Sequence, residues 1–145
     1  MSLLSITELS THYRLPGGSL RALDGVSLEL TAGETLGIVG ESGCGKSTLG
    51  KTILRLVEPT GGSIRFGGED VTHLPARKLD AYRRRAQMIF QDPFASLNPR
   101  HRIRKILTDP MIVHGVKDRT ERKRRVEEIV TRVGLDPARA RPLSA

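Results

Sequence analysis

Aromatic side chains are nearly missing from this sequence, which has no Trp, two Tyr and three Phe among 145 residues. Base-stacking surfaces need several exposed rings, so nucleic acid is not an expected partner. Cysteine is scarcer still. Cys44 stands alone and cannot close an intrachain disulfide, which fits a reducing compartment. No apolar run reaches the length of a membrane span. The start, Met1-Ser2-Leu3-Leu4-Ser5, has neither the basic residues nor the apolar stretch of a signal peptide. A cytoplasmic protein is therefore expected. The histidines (His12, His73, His101 and His114) lack metal-ligand spacing and read as surface residues.

The charge that is present is unevenly placed. The net value is +8, yet residues 1–75 hold six Lys/Arg against eight Asp/Glu, and residues 76–145 hold eighteen against eight. The basic runs are Arg83-Arg84-Arg85, Arg100 to Lys105, and Arg122 to Arg125. Such runs serve as a solvated face, meet an anionic membrane surface, or bind nucleic acid. The solvated face is the default because charged helices need no partner, and nucleic acid comes last for want of aromatics.

Along the chain, Ile6 to Leu15 predicts a strand that turns at Pro16-Gly17-Gly18. Val26, Leu28 and Leu30 alternate with polar residues, the pattern of a half-buried strand. Thr35-Leu36-Gly37-Ile38-Val39 is an apolar run of the kind buried on both faces in a parallel sheet, and Gln87-Met88-Ile89-Phe90 predicts a second such strand. Ser47 to Val57 predicts a helix whose apolar stripe is Leu49, Ile53, Leu56 and Val57. Ser63-Ile64-Arg65-Phe66, between glycine pairs, predicts a short strand paired with the earlier ones. Pro75 to Tyr82 predicts a helix, and Arg102 to His114 another, interrupted by Pro110. Asp118 with Glu121 predicts a capping box for a last helix, with Val126, Ile129, Val130 and Val133 as its stripe and Gly134 as its stop.

One segment carries chemistry. Gly40-Glu41-Ser42-Gly43-Cys44-Gly45-Lys46-Ser47-Thr48 matches G-x-x-x-x-G-K-S/T in full. Its glycines permit positive φ, so successive N–H groups turn toward one anion. A helix beginning at Ser47 adds its unpaired amides and dipole. Lys46 brings a full charge to the β- and γ-phosphates of ATP, and the Ser47 hydroxyl can ligate Mg²⁺. An ordinary glycine-rich turn with a stray lysine is the bland reading; the predicted strand before and helix after argue against it. Cys44 is expected to be a small residue that fits its place. Gln91 follows a predicted strand, where a polar side chain can reach a bound ion. Tyr13 is either ordinary packing or an adenine-stacking ring.

These residues resemble the ATP-binding cassette proteins of ABC transporters, and the resemblance runs through essentially the whole chain. Ala22-Leu23-Asp24-Gly25-Val26-Ser27-Leu28 looks like the segment before that family's P-loop, and Pro59-Thr60-Gly61-Gly62-Ser63-Ile64 like its next turn and strand. Met88-Ile89-Phe90-Gln91-Asp92-Pro93 resembles the Q-loop, which implies that Gln91 is a Mg²⁺ and water ligand with a catalytic role beside Lys46. Tyr13 falls where the family places its adenine-stacking ring. Phe94-Ala95-Ser96-Leu97-Asn98-Pro99-Arg100, with the P-loop, is similar to dipeptide and oligopeptide importer ATPases; importers of nickel, glutathione and opines share much of it.

The resemblance implies an α/β P-loop NTPase fold of ABC type, with an antiparallel β patch and a truncated helical subdomain. Residues 1–91 would form the nucleotide-binding core, and 92–145 the Q-loop continuation and partial helical subdomain. It further implies ATP and Mg²⁺ as cofactors, with two ATPase subunits, identical or different, sandwiching ATP. Permease subunits would be touched by the loop from Gln91 to Arg100, a solute-binding protein would be involved indirectly, and the cytoplasmic membrane face would be met peripherally. The other reading within the family is a non-transport ATPase acting on nucleic acid or ribosomes. The family's Leu-Ser-Gly-Gly-Gln signature, its apolar strand ending in Asp-Glu and its switch histidine are not found in these 145 residues. The chain is thus expected to be a fragment with half a site, unable alone to hydrolyse ATP at a family-like rate.

Overall fold

The computed structural model describes residues 2–92 and 97–136. The chain divides into two compact units, Met1–Met88 and Ile89–Ala145. In the first, β1 (Ser2–Leu15) and β2 (Gly18–Thr31) form a long antiparallel hairpin, turned at Gly17 with φ 90°. Strands β3 (Gly61–Phe66) and β4 (Glu69–Asp70) complete a four-stranded sheet in the order β2-β1-β3-β4, all neighbours antiparallel.

The register of β1 explains its burial. Ile6 and Leu9 are both buried although simple alternation would send them to opposite faces. A bulge lies between them, where Glu8 takes φ 48° and the pairing shifts against both β2 and β3. The extra residue restores Leu9 to the inward face. There Ile6, Leu9, Leu23 and Ile64 meet Leu49 of α1 (Lys46–Ile53), Val71, and Leu79 and Tyr82 of α2 (Ala76–Arg85) in one core.

Helix α1 stops earlier than its apolar stripe predicts. After Ile53 the chain enters the left-handed region at Arg55, φ 55°. The Arg55 N–H bonds the Thr52 carbonyl and the Leu56 N–H bonds that of Lys51, the paired bonds of a Schellman end. Leu56 therefore leaves the helix face and is exposed. The last carbonyls find donors on α2. The Tyr82 hydroxyl donates to the Ile53 carbonyl at 2.6 Å, Arg83 Nε to that of Leu54 at 3.2 Å, and Arg83 Nη2 to that of Arg55. Burial pushes the Tyr82 pKa up, so the hydroxyl keeps the proton it donates.

Arg55 occupies a position where glycine is usual because its side chain is buried and bonded. Nη1 donates to the Val71 carbonyl at 2.7 Å, and Nη2 meets the Glu58 carboxylate. Arg55→Ala keeps the unfavourable φ, loses both bonds and leaves the Val71 carbonyl unpaired. The expected cost is about 2–4 kcal/mol, read as a lower denaturant midpoint at unchanged m-value. An unshifted midpoint would mean that Arg55 is ornamental.

Two predicted strands do not form. Residues 34–40 and 87–90 lie outside any ladder, with Val39 93% and Ile89 94% exposed. A strand of a parallel sheet is buried only by neighbours on both edges and layers on both faces. No described residue supplies a neighbour for either segment, so their apolar patterns go unused.

In the second unit, α3 (Ile103–Val113) contacts α4 (Arg119–Arg132), whose Val126 and Val130 are buried. Pro110 lies inside α3 without interrupting it, contrary to expectation. The helix runs on for one more turn of bonding, and the Pro110 carbonyl accepts the His114 N–H. α4 is capped by Asp118, whose carboxylate accepts the Thr120 N–H at 2.8 Å. The predicted reciprocal half of the capping box is missing, because Glu121 turns to Arg124 and Arg125 instead. Those hydrogen bonds, from Arg124 and then Arg125, hold the Glu121 pKa down at about 2. A lowered folded pKa means that both pairs persist below the ordinary carboxylate range and break as pH falls toward 2. Gly134, φ 78°, ends α4 as expected, with its N–H on Thr131 and that of Leu135 on Val130. Among the described residues no helix is long and apolar enough to cross a membrane.

Candidate nucleotide site

The loop from Gly40 to Gly45 leads into α1 through Gly45, the N-cap, at φ 95°. Gly45 is required for two reasons. Its φ disfavours any side chain, and a Cβ there would collide with the Ala22 carbonyl oxygen and stand 3.1 Å from the Leu23 side chain. The glycine thus lets the loop lie directly on β2. Gly43, φ 84°, makes the preceding turn, where the Cys44 N–H bonds the Glu41 carbonyl at 3.3 Å.

Nothing in the sequence caps α1. No side chain accepts from its first turn, and that turn holds no acidic residue. A helix start without a carboxylate or hydroxyl cap leaves amides open to an external anion. Lys46, the first helical residue, folds back over the loop: Nζ donates to the Gly40 carbonyl at 2.7 Å and the Glu41 carbonyl at 2.6 Å, and stands 3.4 Å from Cys44 Sγ. The ammonium therefore braces the loop from inside while staying accessible. A Cβ on Gly40 would intrude on this space, 2.7 Å from Cys44 Sγ and 4.0 Å from Lys46 Nζ. Ser47 is exposed and Thr48 half-buried. At the back of the helix, Leu49 enters the core and the Thr52 hydroxyl bonds that of Thr11 on β1 at 3.0 Å.

This arrangement fits a polyphosphate: open amides, one convergent cation and glycines where side chains would fill the space. For a divalent cation it offers the Ser47 hydroxyl at the start of α1. No cluster of three metal-ligating His, Cys, Asp or Glu exists among the described residues, so the remaining ligands would come from the phosphates and water.

The other predicted site residues lie elsewhere. Tyr13 is on β1, half-buried, opposite Leu20 near the hairpin turn. Gln91 belongs to the second unit and is exposed. The importer-like residues Pro93 to Ser96 lie outside the described residues, so the loop expected to touch a permease is described only at its ends. Sequence reasoning missed the support of the loop, namely Ala22 and Leu23 beneath Gly45 and the α2 donors behind α1. The pattern gives no signal for either, since both are contacts across the fold.

The sequence profile described as "ABC transporter" matches residues 23–145. The oligopeptide transport ATP-binding protein AppF of Bacillus subtilis is 53% identical over 122 residues, covering 83% of this chain and 37% of that protein. The oligopeptide transport ATP-binding protein OppF of the same organism is 46% identical, covering 95% of this chain and 46% of that protein. The chain thus spans less than half the length of these curated relatives. Among solved structures, the dimeric post-hydrolysis state of the ATP-binding cassette MJ0796 bound to ADP and Pi superposes with a TM-score of 0.78. It is 26% identical, with 96% of this chain and 60% of that one covered.

Proposed function

The chain belongs to the ABC transporter family, and from that premise we propose that it is the front part of an ATP-binding subunit of a peptide importer. Residues 1–91 carry the nucleotide-binding core, and residues 92–145 continue from Gln91 into the helical part. ATP binds with its phosphates over Gly40–Thr48. The amides at the start of α1 and the Lys46 ammonium meet the β- and γ-phosphates, and Ser47 and Gln91 hold Mg²⁺. Tyr13 stacks on adenine. The observation that carries this reading is the bracing of Lys46 across an uncapped, glycine-lined helix start. Peptides are the favoured cargo because the relatives are named for oligopeptide transport. In the complete subunit, two cassettes close over ATP and drive permease subunits at the cytoplasmic face of the membrane.

Cys44 supplies a direct test, since it is exposed in the loop itself. Alkylation of Cys44 is expected to slow several-fold when Mg-ATP saturates the protein, because phosphates laid over the loop cover the sulfur. Equal labelling rates with and without nucleotide would remove the loop from the site. The importer reading has a separate test in the genes beside the coding sequence. Permease and solute-binding genes there support it, and ribosome-associated genes count against it.

A further inference from the structure

Two concavities in the second unit are lined largely by cations. One, of about 570 Å³, is lined by Arg104 and Thr108 of α3 and by Arg119, Thr120, Arg122 and Lys123 at the start of α4. The other shares Arg104 and Thr108, continues to Arg100 and Arg102, and also holds Lys105 ion-paired with Asp109 at 2.8 Å. The first is lined by four cations and, among the described residues, by no carboxylate.

The distribution of partners is uneven. Two carboxylates of α4 serve cations that do not line the cleft: Glu121 holds Arg124 and Arg125, and Glu128 holds Arg124 and Arg132. In the cleft, Lys123 has only Glu127 at 3.9 Å, while Arg104 and Arg119 have no carboxylate within ion-pair distance among the described residues. Arg122 is anchored, its Nη1 donating to the carbonyls of Val116 at 2.6 Å and Lys117 at 2.7 Å. Its buried Nε has no hydrogen-bond partner. A solvated charged face does not require four cations and two threonines around one concavity with no carboxylate in its lining.

We propose that this cleft between α3 and α4 binds a phosphate group, with Arg104, Arg119 and Lys123 as its charged donors and the Thr120 hydroxyl beside them. Arginine forks and a hydroxyl match the several acceptor oxygens of a compact, multiply charged phosphate. The same chemistry is offered by a phosphatidic acid headgroup and by a soluble polyphosphate. The site is independent of the P-loop, so it stands or falls apart from the nucleotide reading.

The test uses the 145-residue chain carrying Lys46→Ala, which removes the main phosphate contact of the P-loop. Binding is measured to tripolyphosphate by calorimetry, and to phosphatidic acid vesicles against plain phosphatidylcholine by co-sedimentation. Arg104→Gln/Arg119→Gln empties the cleft of its two unpaired guanidiniums. Arg124→Gln/Arg132→Gln removes the same charge from elsewhere on α4, and circular dichroism melts check that all variants fold. The cleft variant is expected to lose about tenfold or more in affinity and the control variant much less, since charge-assisted contacts are local. Binding to vesicles alone assigns a lipid headgroup, and binding to tripolyphosphate alone a soluble ligand; either supports the site. Absence of binding to both probes, or equal weakening by the two double variants, overturns it.

Discussion

Lys46→Ala is expected to lower affinity for Mg-ATP by a factor of about 10 to 150, the equivalent of losing one charged hydrogen-bond donor worth roughly 1.5–3 kcal/mol. The side chain makes no packing contact on which the core depends; its ammonium reaches only the Gly40 and Glu41 carbonyls and the Cys44 sulfur. The variant should therefore melt close to the parent temperature while calorimetry shows the loss. Both carbonyls stay exposed to water after truncation, so no buried group is orphaned. Equal ATP affinity of two folded proteins would rule out Lys46 as the phosphate cation, whatever the family resemblance implies.

Gly62→Ala should have the largest effect on folding. Gly62 takes φ 78°, and a Cβ there would run into the Glu8 carbonyl group and come within 2.5 Å of the Thr7 carbonyl oxygen. The obstruction is backbone on a bulged strand flanked by β2 and β3, so it cannot swing aside as a side chain would. Left-handed strain and overlap together should cost about 3 kcal/mol or more, lowering the melting temperature by roughly 12 °C or more. Gly61 next door provides the control. It has ordinary φ, and a Cβ there would sit 3.7 Å from the Ser10 Cβ, a normal contact. Gly61→Ala should melt near the parent, and two variants with the same melting temperature would refute the steric account.

The parts of this protein legible from sequence are those whose causes are local. The glycine-rich turn into α1 declares itself because positive-φ glycines and a helix start fall within nine residues. The β1–β2 turn and the Gly134 stop declare themselves through residues suited to unusual φ. What failed was burial that depends on distant partners. Leu36–Val39 and Ile89–Phe90 have the composition of central strands, yet composition cannot bring up the neighbours that would pair them. The bulge at Glu8 was illegible because glutamate is not a residue that announces positive φ. The early end of α1 was hidden for the same reason: Arg55 sits where glycine is usual, held there by bonds to Val71 and Glu58. Gln91 and Tyr13 rest on family resemblance, since neither position has a spacing rule of its own.

The grip of α2 on the tail of α1 has a mechanical consequence. Eight helical residues make a rod about 12 Å long, and hydrogen-bonded helices bend little over that span. One end of the rod is the Gly40–Gly45 loop; the other is pinned by Tyr82 and Arg83 at three successive carbonyls. The far end of α1 does not end in free carbonyls, because those of Ile53, Leu54 and Arg55 are already held. The loop and its anchorage on α2 thus lie at opposite ends of one short rod, about 12 Å apart.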